Sequence, residues 1–434
     1  MNIRFAVVAA AVALALPATA ADFQVGTGTT FSISGFFGLG LKQSSISNTT
    51  RVGVKDELRV DDNTSRIFFS GTTKVADGYT LVYQVGSRFT TDVRPTDSGV
   101  GTIPAGQITG WADDDTWAGI ATPYGRFIFG KNSFYWPDTI GLPHLAGALD
   151  APGECYRIWD ANGLGTFNIL NQTPVVTKTG LISNTYVLGI TRSRNVFRYD
   201  SPNFSGFDFA LVWSKNPIGD EVKYPGAATP GPVGATTYAS SYSDGQTIYG
   251  RARYNKDGIV LHASFLDQKI MGGTYTPATF NGPLDTKAFR LGGGYKFPFG
   301  LKVGLVFDST EIDNGVGLGV PATWGGSVGS SKRTAFEVPL SYTMGDHMFH
   351  LTYGVAGSMS GTQDTGAKQL NLVWDYALTK KTFVGLYLTK LDNDKYGHYA
   401  PFLAGTNFGS SAPNPLGTNG ENFTQLGFNV QFWF

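Results

Sequence analysis

The chain has 434 residues and carries 33 basic and 33 acidic side chains, so its net charge is zero. Charged residues make up 15%, aromatic residues reach 14%, and glycine occupies 57 positions. Ordinary soluble domains carry about 25% charged residues, so this composition disfavours a large soluble protein. The sequence contains no run of basic residues that would predict a nucleic-acid partner. Its single cysteine, Cys155, excludes an intrachain disulfide framework.

The N-terminal segment has the three parts of a secretory signal peptide. Residues 1–4 end in Arg4, residues 5–16 are apolar, and an Ala-x-Ala motif ends at Ala20. We predict a signal peptide over residues 1–20 and a single mature domain over residues 21–434. No later segment has eighteen consecutive apolar residues, so no transmembrane helix is predicted.

The rest of the chain alternates between apolar and polar residues with period two, which is typical of β-strands. Residues 423–434 show the pattern most clearly, because the even positions are mostly apolar and the odd positions are polar or small, Trp433 excepted. Period two places the two sets on opposite faces of a strand, one towards lipid and one towards a lumen. The same test predicts sixteen strands, which begin near Phe31, Thr64, Tyr79, Asp115, Gly125, Arg192, Gly206, Gln246, Ile259, Lys287, Leu301, Arg333, His347, Lys368, Thr382 and Phe423.

The connections between these strands alternate in length. Bacterial outer-membrane barrels join their strands by short periplasmic turns and long external loops, whereas a soluble sandwich has no reason to do so. We therefore predict an all-β fold, a transmembrane antiparallel β-barrel of about 16 strands. The short turns include residues 74–78, 122–125, 255–258, 297–300 and 343–346, and the long stretches include 91–114, 215–244, 268–283, 310–331 and 392–420.

Alternation also assigns side chains to the lumen. An arginine on the lipid face costs roughly 2–4 kcal/mol at mid-depth, so arginines within strands are predicted to face water. The alternative, an anchor at the membrane interface, stays open for those near strand ends. Acidic residues predicted to face inward as well are Asp200, Asp308, Glu337 and Asp375. The predicted pore wall consists of Arg66, Arg88, Asp115, Arg192, Arg194, Arg198, Arg251, Arg253 and Arg290.

Three segments resemble the general bacterial porin family, especially its betaproteobacterial branch. Residues 64–84 resemble that family's second hairpin, and residues 376–382 its penultimate turn. The most specific match is the Ser-Pro-x-Phe-x-Gly-Phe run at 201–207, which looks like the turn between strands 6 and 7. The terminal aromatic residue, Phe434, matches the family's insertion signal.

The resemblance implies an outer-membrane channel that passes small hydrophilic solutes by passive diffusion. It implies a homotrimer that contacts the bilayer and lipopolysaccharide, without a cofactor and without catalysis. It also implies that the loop between strands 5 and 6, residues 132–191, folds inward and forms a constriction. The alternatives for this stretch are an external flap or a subunit contact. Candidates for its inner rim are Asp138, Asp150, Glu154, Arg157 and Asp160.

Arg66 and Arg192 coincide with an arginine cluster on the family's constriction wall, although its third member falls at Asp115. An excess of arginine would favour anions, so we expect a weak anion preference. Two alternatives stay open, a plugged structural or adhesin barrel and a sugar- or carboxylate-selective channel. The latter would show an aromatic ladder formed by Trp117, Tyr249, Phe383 and Tyr387.

Two patterns could suggest a metal site, and neither is favoured. His347 and His350 have a spacing seen at metal sites, but three residues apart in a strand they should face opposite sides. Residues 113–115 are three consecutive aspartates, which are more typical of a solvated acidic loop than of a Ca²⁺ site. No metal site is predicted.

Overall fold

The computed structural model describes residues 21–49, 56–61, 65–88, 111–112, 114–135, 169–176, 182–186, 193–215, 217, 245–270, 284–319, 327–399 and 420–434. The predicted signal peptide lies outside them. Within this part of the chain, twenty β-strands and one 3₁₀ helix are formed. None of the helical structure described is long and apolar enough to cross a bilayer.

β-Strands run along the whole described part of the chain. In chain order, the first ten are β1 (Ala21–Gln24), β2 (Thr29–Ser47), β3 (Glu57–Asp61), β4 (Arg66–Ala76), β5 (Tyr79–Arg88), β6 (Thr116–Thr122), β7 (Gly125–Asn132), β8 (Gln172–Val176), β9 (Ile182–Tyr186) and β10 (Ser193–Asp200). The other ten are β11 (Phe207–Lys215), β12 (Gln246–Lys256), β13 (Ile259–Ile270), β14 (Leu284–Lys296), β15 (Leu301–Gly319), β16 (Ser327–Met344), β17 (His347–Ala356), β18 (Ala367–Thr379), β19 (Thr382–Asn393) and β20 (Asn422–Trp433). The 3₁₀ helix, Ile169–Asn171, precedes β8.

The strands close into an antiparallel barrel. β3 and β4 both pair with β2 and form one interrupted wall strand, and β20 pairs with β19 and β2 to close the ring. The Phe434 amide donates to the Gly35 carbonyl at 3.1 Å beside this seam. β1 lies against β2, while β8 and β9 form a separate hairpin. The described residues thus form sixteen wall strands, and the predicted fold class is confirmed.

The two faces of each strand differ as the alternation predicts. Leu211 on β11 and Leu426 on β20 are 51% and 55% exposed, while Gln425 on β20 is 1% exposed. Large apolar side chains therefore cover the outside, where they contact the lipid of a bilayer, and polar side chains line the inside.

The short turns stand where the sequence places them, for example at residues 77–78, 257–258 and 345–346. Gly258 shows why such a turn needs glycine. Its φ is +82°, and a Cβ atom would lie 2.6 Å from the Lys296 carbonyl oxygen.

Fifteen of the sixteen wall strands begin within three residues of the predicted positions when the second is counted from β4, and β16 is the exception. It begins at Ser327 rather than near Arg333, and β15 continues to Gly319, so most of the predicted irregular stretch 310–331 is strand. This stretch is rich in glycine and serine and lacks the alternation on which the prediction relied. The short strands β1, β3, β8 and β9 were not predicted.

Candidate functional site

The chain turns into the lumen directly after β7. Phe134 and Tyr135 are fully buried, and the ring centroids of Phe134 and Tyr249 lie 5.3 Å apart. They cover an apolar patch on the inward face of β10–β14, which consists of Val196, Val212, Tyr249, Leu266 and Ala288. Burial of these apolar side chains stabilises the inward course of the loop.

The same loop reaches a second apolar patch at the 3₁₀ helix. Ile169 and Leu170 are fully buried, and the Ile169 amide donates to Oε1 of Gln369 at 3.1 Å. The patch lies mainly on inward positions of β15–β20 and includes Val306, Ala335, Ala356, Ala367, Leu391 and Phe423. The described residues 134–135 and 169–170 of the loop between the fifth and sixth wall strands therefore lie inside the barrel, in agreement with the predicted inward-folded loop.

A buried ionic network on β14–β16 connects these two parts of the loop. Arg290 Nε donates to Asp308 Oδ2 at 2.9 Å, and Arg333 Nη1 donates to Asp308 Oδ1 at 2.7 Å. The side chains of all three are 0% exposed. The Tyr135 hydroxyl donates to Asp308 Oδ2 at 2.6 Å. The first part of the loop is thus attached to the barrel wall through Asp308.

The remaining nitrogens of the two arginines hold the 3₁₀ helix. Arg290 Nη2 donates to Oδ1 of Asn171 at 2.7 Å, and Arg333 Nη2 donates to the Leu170 carbonyl at 2.7 Å. Arg333 Nε donates to the Gln172 carbonyl at 2.9 Å. Buried charges are tolerated only when they are paired and hydrogen-bonded, and this network meets both conditions.

Tyr135 lies in this network as a neutral donor. Burial, together with the neighbouring Asp308 carboxylate, raises the pKa of Tyr135 well above its ordinary value of 10.0. The guanidinium carbon of Arg290 lies 4.6 Å from the centre of its ring, a cation–π contact. Tyr135 therefore keeps its proton at neutral pH and continues to donate to Asp308.

Two arginines share one aspartate a second time at β7 and β10. Arg126 Nη2 lies 2.9 Å from Asp200 Oδ2, and Arg198 Nη2 lies 2.8 Å from Asp200 Oδ1. Arg198 also donates to Oδ1 of Asn132 at 3.2 Å. Each carboxylate oxygen takes a different guanidinium.

A third such group joins β11 and β12. Arg251 Nη2 lies 2.8 Å from Asp208 Oδ1, and Arg253 Nη2 lies 2.8 Å from Asp208 Oδ2. We call the three groups, centred on Asp200, Asp208 and Asp308, the arginine–aspartate triads. Together they place six arginines and three aspartates on the described part of the lumen wall.

A closed barrel with an inward loop and a charged lumen is the architecture of a diffusion channel, and comparison with known proteins identifies the family. The model of the Gram-negative porin family matches residues 6–396. The chain belongs to the Gram-negative porin family. It is an outer-membrane channel protein.

Individual porins resemble this chain at identities between 11% and 26%. Chitoporin of Vibrio furnissii is 26% identical over 332 residues, which cover 71% of this chain and 74% of that protein. The anion-selective porin from Comamonas acidovorans has a TM-score of 0.64 at 16% identity, covering 94% of this chain and 100% of that chain. The in-vitro folded outer membrane protein OmpT of Vibrio cholerae has a TM-score of 0.58 at 11% identity, covering 95% and 100%. The solved structures support the fold.

Several residues predicted for the pore wall lie on the inner face of the porin. Arg198, Arg251, Arg253 and Arg290 belong to the triads. Arg66 is buried, and its Nε lies 3.2 Å from Asp114 Oδ2. Asp115 accepts a hydrogen bond from the Ser133 hydroxyl at 2.8 Å.

Arg194 departs from the expected alternation. Its side chain is exposed, and it lies in an irregularity where Ser193 and Val196, three residues apart, are both buried. Asn195 within it has a φ of +54°. An extra residue here shifts the phase of β10, so Arg194 and Arg198 do not share one regular alternation.

The other predicted site residues fall outside the part of the chain that the structure describes. The backbone of Arg88 pairs with that of Arg66, but the side chain of Arg88 lies outside the described part of the structure. The other such residues are Arg192, Asp138, Asp150, Glu154, Arg157 and Asp160.

Sequence reasoning missed the residues that hold the loop. Arg333 was assigned as a strand start, although its alternation with Ala335 and Glu337 would have placed it inward. Tyr135 and Asn171 had no signal, because they lie in a loop whose path is set by distant strands. The two histidines of β17 do face opposite sides, since Trp374 Nε1 donates to Nδ1 of His347 while His350 faces Asp375.

Proposed function

We propose that this porin passes small hydrophilic solutes and ions by passive diffusion, without covalent chemistry, and weakly prefers anions. The observation that carries the proposal is the stoichiometry of the arginine–aspartate triads, two guanidiniums to each carboxylate. Charge on the lumen wall sets the ion selectivity of a channel. The preference is weak because each triad carries a net charge of only +1, from two guanidiniums and one carboxylate.

The names of two similar proteins, the Comamonas acidovorans porin and chitoporin, suggest different solutes. The Comamonas acidovorans protein is an anion-selective porin, which agrees with the proposal, whereas chitoporin supports a substrate-selective channel as a second candidate. An aromatic ladder would support that second candidate. However, Tyr249 is buried beneath Phe134, and Arg126 lies over Trp117 at 5.5 Å. Phe383 and Tyr387 are also buried. Arg126 itself remains 32% exposed, so the described wall offers permeating solutes this charge rather than a row of aromatic rings.

A planar bilayer under a KCl gradient tests the preference. We expect the full mature protein to show a reversal potential of anionic sign. The variant Arg126→Gln/Arg253→Gln should shift this potential towards the cationic sign, because each change removes the less buried arginine of its triad. Lys256→Gln, an exposed residue beside a turn, should leave it unchanged.

Each outcome separates the hypotheses. A cationic reversal potential in the wild-type protein would contradict the anion preference and leave diffusion intact. A folded barrel without conductance would contradict diffusion and favour the plugged structural barrel.

We further infer a homotrimer in the outer membrane, in contact with lipid and lipopolysaccharide. An aromatic row crosses the outer face of β1, β2 and β4 and ends at Trp111. Its ring centroids are 6.1 Å apart for Phe23 and Phe31, 6.2 Å for Phe31 and Phe69, and 5.3 Å for Phe69 and Trp111. Trp111 is 71% exposed. Large exposed aromatic residues of this kind are typical of protein interfaces.

The mass of the protein–detergent complex tests this inference. Trp111→Ala combined with Phe69→Ala should convert the trimer into smaller species in size-exclusion chromatography with light scattering. Trp213→Ala, an exposed outward residue of β11, is the control and should remain trimeric. A monomeric wild-type protein would contradict the inference.

A further inference from the structure

The outer face of β16–β20 carries an apolar groove. Five leucines lie side by side across these strands in one register row, Leu340, Leu351, Leu372, Leu388 and Leu426. We call them the leucine row, and all five line a groove of about 470 Å³, a volume typical of small-ligand sites. Leu372 and Leu426 are 37% and 55% exposed, whereas their neighbours Asn371 and Gln425 on the inward face are buried. The groove therefore opens towards lipid.

His347, the first residue of β17, closes one end of this groove. Phe349 and Trp374 also line the groove, and their ring centroids lie 6.2 and 6.0 Å from that of His347. Tyr376 contacts the same imidazole, at 4.8 Å. His347 directly follows the short turn at residues 345–346, and the short turns of bacterial barrels are periplasmic. The groove therefore ends in an aromatic group at the periplasmic membrane interface.

One hydrogen bond decides which ring nitrogen His347 presents to the membrane. Trp374 Nε1 donates to Nδ1 of His347 at 3.0 Å. An indole N–H can only donate, so Nδ1 is the acceptor and the neutral imidazole carries its proton on Nε2. The side chain of His347 is half-buried on the outer face. Its Nε2–H can therefore donate to a phosphate or ester oxygen in the headgroup region of the bilayer.

Positive charge lies in the turn next to this histidine. Lys380 and Lys381 form the two-residue turn between β18 and β19, on the same periplasmic side, and Lys380 is exposed. The neighbouring turn contributes Asp346, so two lysines and one aspartate give the two turns a net charge of +1. Lysine side chains beside a membrane extend their ammonium groups to the headgroups, and basic residues there attract anionic lipid.

We propose that this groove binds one anionic phospholipid of the periplasmic leaflet. An acyl chain lies along the leucine row, and the headgroup phosphate accepts from His347 Nε2 beside Lys380 and Lys381. The apolar groove, the donor at its periplasmic end and the positive charge beyond it are separate features, and a single phospholipid matches all three. The site is on the outer face, so it does not depend on the proposed function of the lumen.

Native mass spectrometry of the delipidated protein, titrated in detergent with phosphatidylglycerol, counts the bound lipids. We expect one tightly bound phosphatidylglycerol per chain and weaker binding of phosphatidylcholine. The variant His347→Phe/Lys380→Gln/Lys381→Gln keeps a ring but removes the donor and both charges, so it should weaken binding roughly tenfold. The matched control is His350→Gln/Lys256→Gln, because His350 faces Asp375 inside the barrel and Lys256 lies beside a different turn. It should bind as the wild type does.

Unchanged binding in the triple variant, or equal affinity for the two lipids, would overturn the proposal. Leu372→Trp fills the groove and should also weaken binding. If it instead lowers the mass of the protein–detergent complex in light scattering, a second copy of the chain covers this face and the proposal fails. Heat-modifiable migration checks folding. If the triple variant does not fold, Lys380→Gln/Lys381→Gln in the turn should still reduce the preference for phosphatidylglycerol, and an unchanged preference would equally overturn the proposal.

Discussion

Asp308 accepts hydrogen bonds from four side chains, which are those of Arg290, Arg333, Tyr135 and Thr310. None of the three ionic side chains is exposed, so their charges are compensated by one another rather than by water. Removing one member of a buried ion pair leaves the other charge uncompensated, which is costly. The Asp308 triad is therefore structural, while the more exposed arginines of the other two are better placed to act on passing ions.

Asp308→Asn should lower the free energy of unfolding by about 3–5 kcal/mol, because two buried guanidiniums lose their shared countercharge. Equilibrium urea unfolding in lipid vesicles measures this loss. Asp257→Asn is the matched control, because Asp257 is exposed in a turn with a φ of +55°, which asparagine accepts readily. An equal effect of both substitutions would show that Asp308 has no special role.

The stability of the porin should also fall at alkaline pH. The folded pKa of Tyr399, about 12, lies above that of an unfolded tyrosine, near 10. The resulting stabilisation is complete below pH 10 and is lost as the pH rises from 10 towards 12. Unfolding free energies measured across this range should decline less steeply for Tyr399→Phe than for the wild type. Identical slopes for the wild type and Tyr399→Phe would contradict a raised pKa of Tyr399 in the folded protein.

Among the elements, β14 shows how one strand serves two environments. Arg290 faces inward and is fully buried, while its neighbours Phe289 and Leu291 are each 44% exposed on the outer face. Period-two alternation alone produces this division, because successive Cβ atoms point to opposite sides of the sheet. An arginine is therefore accommodated at position 290 but would face lipid at the adjacent positions of the same strand.

Leu291→Arg should lower the free energy of unfolding by about 2–4 kcal/mol, since it places a charge near the middle of the lipid face. Tyr295→Arg, on the same face but beside the turn after β14, should cost only about 0–1 kcal/mol. Unfolding from vesicles measures both variants under one set of conditions. If the two positions cost the same, the outer face of β14 is not graded by membrane depth.

At the scale of the whole molecule, the barrel combines a polar lumen with two apolar patches that segments of the chain cover. One patch lies under Phe134 and Tyr135, and the other lies under Ile169, Leu170 and Tyr399. The Asp308 triad connects the loop residues of both patches. The described parts of the loop are therefore fixed to distant strands of the wall.

Phe434 extends the seam that closes the ring. Gly35 and Phe434 exchange two backbone hydrogen bonds, at 3.1 and 3.3 Å, beside the seam between β20 and β2. Deletion of Phe434 should lower the yield of heat-modifiable, folded barrel, because the seam loses this pair. Phe299→Ala, an exposed aromatic residue in a turn, should fold normally. Normal yield after the deletion would show that closure does not need this residue.

The sequence alone determined the strands, their faces and the barrel, since these follow from local alternation and from turn residues such as Gly258. It also placed arginines such as Arg198 and Arg290 inside, because charge is costly in lipid. The tertiary structure decided which of them pair and what they hold. The partners of Asp308 include Tyr135, Arg290 and Arg333. Only the register of the strands and the inward path of the loop bring these residues together. Contacts over such sequence distances leave no periodic signal, and a one-residue irregularity such as that at Asn195 shifts the alternation without any mark in composition.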